Sequence, residues 1–203
     1  MRPVIISCLI KIFEMKTTLI IHPKDASTKF LESVYHNIPN KTVITGGVSK
    51  EFLLKEIENH QRIMMMGHGT ASGLFSVGQF KNTNGYIIDS SMVSGLTKKK
   101  ESIFIWCNAD QFVLRHQLTG FYTGMFISEV GEACYCGLPY VQQEEVDESN
   151  FLFVNQLGAC INNNSEIIYN RIIKEYGVLL PQNKIAAYNH QRLYLSIETS
   201  QII

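Results

Sequence analysis

The sequence predicts an α/β fold: a three-layer, doubly wound, mostly parallel sheet with helices on both faces. Two apolar runs between polar flanks, residues 63–66 and 103–106, carry this prediction, because such runs are typical of buried strands in a parallel sheet. Segments with helical spacing alternate with the predicted strands, as they do in a doubly wound sheet. The 203 residues are 45% hydrophobic, which is enough for one domain with a sizeable core.

The first third of the chain predicts strands and helices in alternation. β-Branched residues mark the first strand, and Asp25 or Ser27 can cap the helix that follows. Apolar residues on one face mark each helix, and the i,i+4 pair of Glu51 and Lys55 supports the second. The strands are predicted at residues 17–22, 42–45 and 63–66, and the helices at residues 27–36 and from Ser49 onwards.

The rest of the chain predicts a hairpin and then further strands and helices. Asn and Gly residues between 82 and 85 predict the turn of a β-hairpin over residues 73–88. A short helix over residues 90–97 precedes the second apolar run. The pattern then predicts helical spacing over 111–130, a strand at 133–137, an acidic loop at 142–149, helices at 150–160 and 165–176, and a last strand at 193–197.

The charge balance argues against nucleic acid and anionic membranes as partners. Eighteen basic and eighteen acidic residues cancel, and apart from residues 98–100 no block of like charge stands out. The five cysteines form no framework spacing, which predicts free thiols in a reducing compartment. We therefore expect a cytoplasmic protein.

Residues 1–15 are interpreted as an N-terminal extension, and residues 16–203 as a single domain. The apolar stretch after Pro3 is too short to span a bilayer and is interrupted by Lys11. It also lacks the small-residue cleavage site of a signal peptide. Export through residues 1–14 is the alternative interpretation.

A histidine and a cysteine follow the two apolar runs directly. His68 lies between Gly67 and Gly69 after the first run, and Cys107 follows the second. The segment between them is long enough for one helical crossover, so the two strands can be parallel neighbours. Because ligands bind at the carboxyl ends of strands in open α/β sheets, His68 and Cys107 are expected to share one cleft.

The chemistry expected of this pair is nucleophilic catalysis. A helix start after Cys107, with Asp110 as its cap, would lower the pKa of the thiol. The flanking glycines allow close backbone approach, and the Gly69 amide is free to donate to an oxyanion. The alternatives are an inert buried thiol and a turn histidine.

The other cysteines and histidines are predicted to be structural. Cys134 and Cys136 are two residues apart and so share one face of a strand, which indicates core positions. Cys8 and Cys160 are expected to pack, and His22 and His116 to be solvated or capping. No third and fourth ligand accompany His68 and Cys107, so no metal is predicted.

These residues resemble the caspase-like (clan CD) cysteine peptidases, in which one strand ends in His-Gly and a later strand ends in Cys. The chain is most similar in motif to the bacterial CHAT peptidases, through residues 67–69 and 103–108. Residues 146–158 also resemble the segment that follows the active-site strands of that group. The resemblance covers roughly residues 17–197, so residues 16–203 are expected to form one caspase-like domain.

The resemblance implies a catalytic dyad at the carboxyl edge of the sheet. His68 would be the general acid/base and Cys107 the nucleophile, and the backbone amides of Gly69 and Cys107 would form the oxyanion hole. The chain departs from caspases around the nucleophile, so their aspartate specificity is not carried over. Asp110, Asp89 and Glu129 are instead candidate pocket acids for a basic side chain, as in the Arg/Lys-specific relatives.

The leading hypothesis is a cysteine endopeptidase that acts on a protein or peptide substrate through a thioester and needs no cofactor. One alternative is a non-catalytic caspase-like domain that recruits partners. The other is a doubly wound domain that binds a small ligand and carries an incidental thiol.

Overall fold

A computed structural model describes residues 16–198 and contains two sheets. The strands are short, with two to five residues each. They are β1 (Thr18–Ile21), β2 (Lys41–Ile44), β3 (Arg62–Met66), β4 (Gly69–Thr70), β5 (Gly73–Phe75), β6 (Tyr86–Ile88), β7 (Ser102–Ile105), β8 (Gly120–Thr123) and β9 (Leu193–Ser196).

The helices lie between the strands along the chain, and the longest is in the carboxyl-terminal half. They are α1 (Glu32–Tyr35), α2 (Lys50–Asn59), α3 (Val93–Leu96), α4 (Ala109–Arg115), α5 (Val130–Tyr135), α6 (Gln143–Cys160), α7 (Ser165–Tyr176) and α8 (Lys184–His190). A 3-10 turn, Lys29–Leu31, precedes α1, so the helix predicted at residues 27–36 is shorter than expected.

The central sheet has six strands in the order β2-β1-β3-β7-β8-β9. Every pairing is parallel except that of β9, which runs antiparallel to β8. The protein is therefore α/β with a mostly parallel sheet. The register pairs Met66 of β3 with Ile105 of β7, so the two strands end side by side.

Helices pack on both faces of this sheet, because successive strand residues point to opposite faces. Met64 and Ile103 belong to a hydrophobic cluster that also contains residues of α1, α6 and α7. Met65 and Phe104 belong to a second cluster with residues of α2, α3 and α4. Both apolar runs are thus buried on two sides, which explains why they contain no alternation of polar residues.

The second sheet is the predicted hairpin with one added strand. β4 and β6 both pair antiparallel with β5, and the sheet follows His68 in the chain. The indole of Trp106 donates a hydrogen bond to the Thr70 carbonyl oxygen at 3.0 Å, which joins this small sheet to the end of β7.

The prediction of helical spacing over residues 111–130 was wrong for most of that stretch. The helix ends at Arg115, and β8 follows it. Gly120 has a φ of +140°, and a Cβ there would lie 1.9 Å from the Ser102 carbonyl oxygen. Only glycine allows β8 to approach β7 at this position, and apolar spacing carries no signal of that contact.

Two further predictions, a strand at 133–137 and a loop at 142–149, were wrong because the first segment overlaps the end of α5 and the second begins α6. Glu132 and Glu145 accept hydrogen bonds from the amides of Glu129 and Gln142, respectively, which start α5 and α6. Two of the four acidic residues in the predicted loop, Glu144 and Glu145, lie in the first turn of α6, where negative charge is stabilising.

The residues predicted to be structural differ from expectation in three places. Cys134 is exposed and Cys136 is half-buried, because they lie in and just after α5 instead of in a core strand. His22 is buried, not solvated, and contacts Tyr35 Oη and Thr28 Oγ1 through its two ring nitrogens. Cys160 packs in the core as predicted, whereas Cys8 lies outside the described residues, as does the extension 1–15.

Within residues 16–198, no helix is both long and apolar enough to cross a membrane.

Candidate active site

His68 and Cys107 follow the adjacent ends of β3 and β7. The Gly67 amide donates to the Ile105 carbonyl oxygen at 3.0 Å and extends the strand pairing to the residue before His68. Both side chains line one small cavity of about 20 Å³, together with Thr28, Phe126 and Ser128. A cavity of this size holds about one water molecule. The topology therefore brings the two residues together at the carboxyl edge of the sheet.

The two glycines around His68 are required by backbone conformation at Gly67 and by packing at Gly69. Gly67 has a φ of +140°, a region that favours glycine. A Cβ on Gly69 would lie 2.3 Å from the Trp106 ring and 2.5 Å from the Gly73 carbonyl oxygen. Gly69 is buried in β4 opposite Leu74. The role of its amide as an oxyanion donor stays a prediction.

Ser27 and Asp25 form a chain of hydrogen bonds with the Nε2 atom of His68. Ser27 Oγ lies 2.6 Å from His68 Nε2 and donates its proton to Asp25 Oδ1, also at 2.6 Å. The Ser27 amide donates to the same carboxyl oxygen at 2.9 Å. Because the one hydroxyl proton goes to Asp25, Ser27 Oγ accepts the Nε2–H of His68. This assignment leaves His68 Nδ1 as the nitrogen that can take up a proton.

Asp25 is ionised in this arrangement. The hydrogen bonds from the Ser27 side chain and amide lower the pKa of the Asp25 carboxyl. The sequence pattern marked Asp25 and Ser27 only as helix-capping residues. Their place beside His68 depends on the turn after β1 and has no signal in sequence spacing.

The environment of Cys107 differs from the prediction. Its thiol lies 3.5 Å from the Phe126 carbonyl oxygen and 3.7 Å from Glu132 Oε1. Burial, and secondly the charge of Glu132, raise the pKa of Cys107 to about 12. The predicted lowering of this pKa was therefore wrong, because desolvation and a neighbouring carboxylate both favour the neutral thiol.

The predicted helix cap after Cys107 also differs. Asn108, with a φ of 64°, is the residue before α4, and Asp110 lies in the first turn of the helix. Asp110 Oδ1 is buried and has no hydrogen-bond partner among the described residues.

Glu132 is fixed against the thiol by the start of α5. Its second carboxyl oxygen, Oε2, accepts from the Ser128 amide at 2.7 Å, the Ser128 hydroxyl at 3.1 Å and the Glu129 amide at 3.2 Å. Sequence reasoning missed this residue. The spacing of Glu129 and Glu132 is the one signal that could have indicated a helix start here.

The three candidate pocket acids lie in different places. Asp89 forms an ion pair with Lys50 and accepts from Ser91, and neither Asp89 nor Asp110 lines the cavity of His68 and Cys107. Glu129 lines a neighbouring groove of about 740 Å³ together with Asp147 and Asn150. Ser128 and Phe30 border both spaces, so Glu129 is the one predicted acid next to the cavity of His68 and Cys107.

No group of three or more His, Cys, Asp and Glu side chains within residues 16–198 is arranged to hold a metal ion. No family model, curated protein or solved structure matches the chain. Its function is therefore inferred from the geometry of the site.

Proposed function

We propose that the protein is a cysteine endopeptidase with a doubly wound, caspase-like arrangement and a His68–Cys107 dyad. One observation carries the proposal: the two residues follow adjacent parallel strands and line the same cavity. A thiol and an imidazole at one strand edge are the parts needed for acyl transfer.

The reaction proceeds in two halves. Cys107 Sγ forms a bond to the peptide carbonyl carbon while the thiol proton passes to His68. The carbon–nitrogen bond then breaks, His68 protonates the leaving amine, and a thioester remains on Cys107. Water attacks the thioester, with His68 taking its proton, and releases the acid and the free thiol. The amides of Gly69 and Cys107 stabilise the oxyanion in both halves.

Asp25 and Ser27 support His68 in this scheme as positioning residues. The hydrogen bond from His68 Nε2 to Ser27 Oγ directs Nδ1 to the proton transfer. The Asp25 carboxylate polarises Ser27 and stabilises the imidazolium that forms when His68 takes up the proton. The arrangement resembles the general plan of a nucleophile, a base and an orienting group.

The conformation described here is a resting one in this proposal. The thiol is protonated and contacts Glu132, and the cavity beside it is too small for a peptide. Catalysis therefore requires Glu132 and the start of α5 to move away from Cys107. The groove that Glu129, Asp147 and Asn150 line lies next to this segment and offers space for substrate side chains.

The proposal is tested with electrophilic peptide probes on the full chain. A mixture of peptidyl chloromethyl ketones with different terminal side chains is expected to modify Cys107, as mapped by mass spectrometry. Cys107→Ala and His68→Ala are each expected to abolish turnover of a peptide library while the circular dichroism spectrum is retained. Turnover that persists in both variants contradicts the proposal.

A non-catalytic interaction domain is the second candidate, and the half-buried thiol with its raised pKa favours it. Such a domain would bind partners without modifying them. Two results together would support this candidate over the peptidase. No peptide probe would label Cys107, even in the Glu132→Gln variant, and Cys107→Ala would form stable complexes with partners as the wild type does.

A further inference from the structure

At the amino edge of the sheet, opposite His68 and Cys107, the guanidinium of Arg62 is buried with few hydrogen-bond partners. Arg62, the first residue of β3, is 3% exposed. Its Nη1 donates to the Ile161 carbonyl oxygen at 2.6 Å, while its Nε has no hydrogen-bond partner among the described residues. A buried donor without a partner is costly, and a charged one is more so.

A second unpartnered group lies beside it. Thr18 of β1 is fully buried, and its Oγ1 also has no hydrogen-bond partner among the described residues. Thr18 and Arg62 are direct partners in the parallel register. Paired residues of parallel strands project from the same face of the sheet, so the hydroxyl and the guanidinium are neighbours.

Both residues line one cavity of about 550 Å³ between the sheet edge and the loop that joins α6 to α7. Its remaining wall is partly apolar and partly charged. Lining residues besides these two include Lys16, Glu101, Ile38, Pro39 and Ile167. The cavity has room for a small molecule with a polar head and an apolar body.

The charges around the cavity favour an anion. Glu101 is its one carboxylate among the lining residues, and it forms an ion pair with Lys16. Arg62 has no salt bridge within the described residues. Burial lowers the pKa of its guanidinium, and the more distant charge of Glu101 only partly offsets this lowering. Lys98 and Lys100 line an adjoining space that Arg62 also borders.

We propose that this cavity binds a small molecule through an oxyanion, a phosphate or a carboxylate. Arg62 Nε and Thr18 Oγ1 are covered in the described conformation, so binding turns both side chains toward the cavity. The oxyanion then lies against the Nε edge of Arg62 and accepts from Thr18 Oγ1, and the apolar part of the molecule lies against Ile38, Pro39 and Ile167. A planar guanidinium suits both phosphate and carboxylate, because it offers parallel N–H donors. The site is separate from the dyad and does not depend on the proposed function.

The test is a thermal-unfolding and calorimetric titration of the full chain at constant ionic strength, with sodium chloride as the reference salt. Inorganic phosphate is the probe in one arm and benzoate in the other, which separates the two oxyanion classes. For at least one probe the wild type is expected to show saturable binding and a rise in midpoint temperature, because a ligand of the folded state stabilises it.

Variants assign the binding to the cavity. Arg62→Met is expected to abolish saturable binding, Thr18→Val to weaken it roughly tenfold, and Glu101→Gln to tighten it by removing a like charge. Arg171→Met, the same change at an exposed arginine, is the matched control and is expected to bind as the wild type does.

Absence of saturable binding of both probes to the wild type overturns the proposal, as does wild-type affinity in folded Arg62→Met. If Arg62→Met does not fold, the affinities of Thr18→Val and Glu101→Gln test the proposal instead. Unchanged affinity in both variants overturns the proposal.

Discussion

His68 Nε2 lies 2.6 Å from Ser27 Oγ, and this contact joins the end of β3 to the turn after β1. The two residues are distant in sequence but adjacent in space, since β1 and β3 are paired strands. Asp25 completes the chain of hydrogen bonds. The imidazole is thereby held in one orientation before any substrate binds.

Loss of this contact is expected to reduce activity without loss of the fold. Ser27→Ala should lower kcat roughly 10- to 100-fold, the effect of removing one hydrogen bond to a group that becomes charged. Ser27→Thr, which keeps the hydroxyl, should restore most of the rate. Ser94→Ala, at an exposed serine of α3, is the control for peptide turnover. A wild-type rate for Ser27→Ala would exclude the positioning role.

Replacement of Glu132 is expected to activate the thiol. Glu132→Gln removes the carboxylate that contributes to the raised pKa of Cys107, while its amide oxygen still accepts from Ser128. A lower pKa means more thiolate, about tenfold for each unit. Iodoacetamide should therefore modify Cys107 faster in the variant than in the wild type.

Labelling of the individual thiols is measured by peptide mapping after brief alkylation. In the wild type, exposed Cys134 should react first and buried Cys160 last. Glu129→Gln, a matched change at the residue before α5, should leave the rate of Cys107 unchanged. Equal rates for Cys107 in all three proteins would show that Glu132 does not control the thiol.

Stability is expected to fall at high pH partly because of Cys107. Its pKa rises from an ordinary value of 9.0 to about 12 on folding, so the unfolded chain loses this proton at a lower pH than the folded one. The contribution is fully present below about pH 9 and is lost as the pH rises towards 12, by up to about 1.4 kcal/mol for each pH unit.

Comparison with Cys107→Ser isolates this contribution from those of other groups. Denaturant unfolding at several pH values should give a steeper decline for the wild type than for the variant above about pH 9. Parallel declines would mean that the folded protein ionises Cys107 as readily as the unfolded chain does.

Gly120→Ala is expected to destabilise the sheet by roughly 2–4 kcal/mol, since it combines an unfavourable φ with a clash against the backbone of β7. Gly131→Ala is the control. No atom lies within 4 Å of a Cβ placed there, and its position in α5 favours alanine. Chemical denaturation of both variants measures the difference, and equal stabilities would contradict the close approach of β8 to β7.

The sequence alone determined the features that depend on local patterns. The apolar runs at 63–66 and 103–106 predicted buried parallel strands, and both are fully embedded between two layers of side chains. Because polar residues follow each run, His68 and Cys107 were predicted to lie at strand ends. Periodicity and turn residues also predicted the hairpin and the helix over 165–176.

The tertiary structure alone decided how each reactive group is surrounded. Whether residues 120–123 form a strand depends on the contact of Gly120 with β7, and no spacing rule reports it. The ionisation of Cys107 depends on desolvation and on Glu132, a residue brought to the thiol by the start of α5. Such contacts join segments that are far apart in the chain, so their energies are set only when the fold has formed.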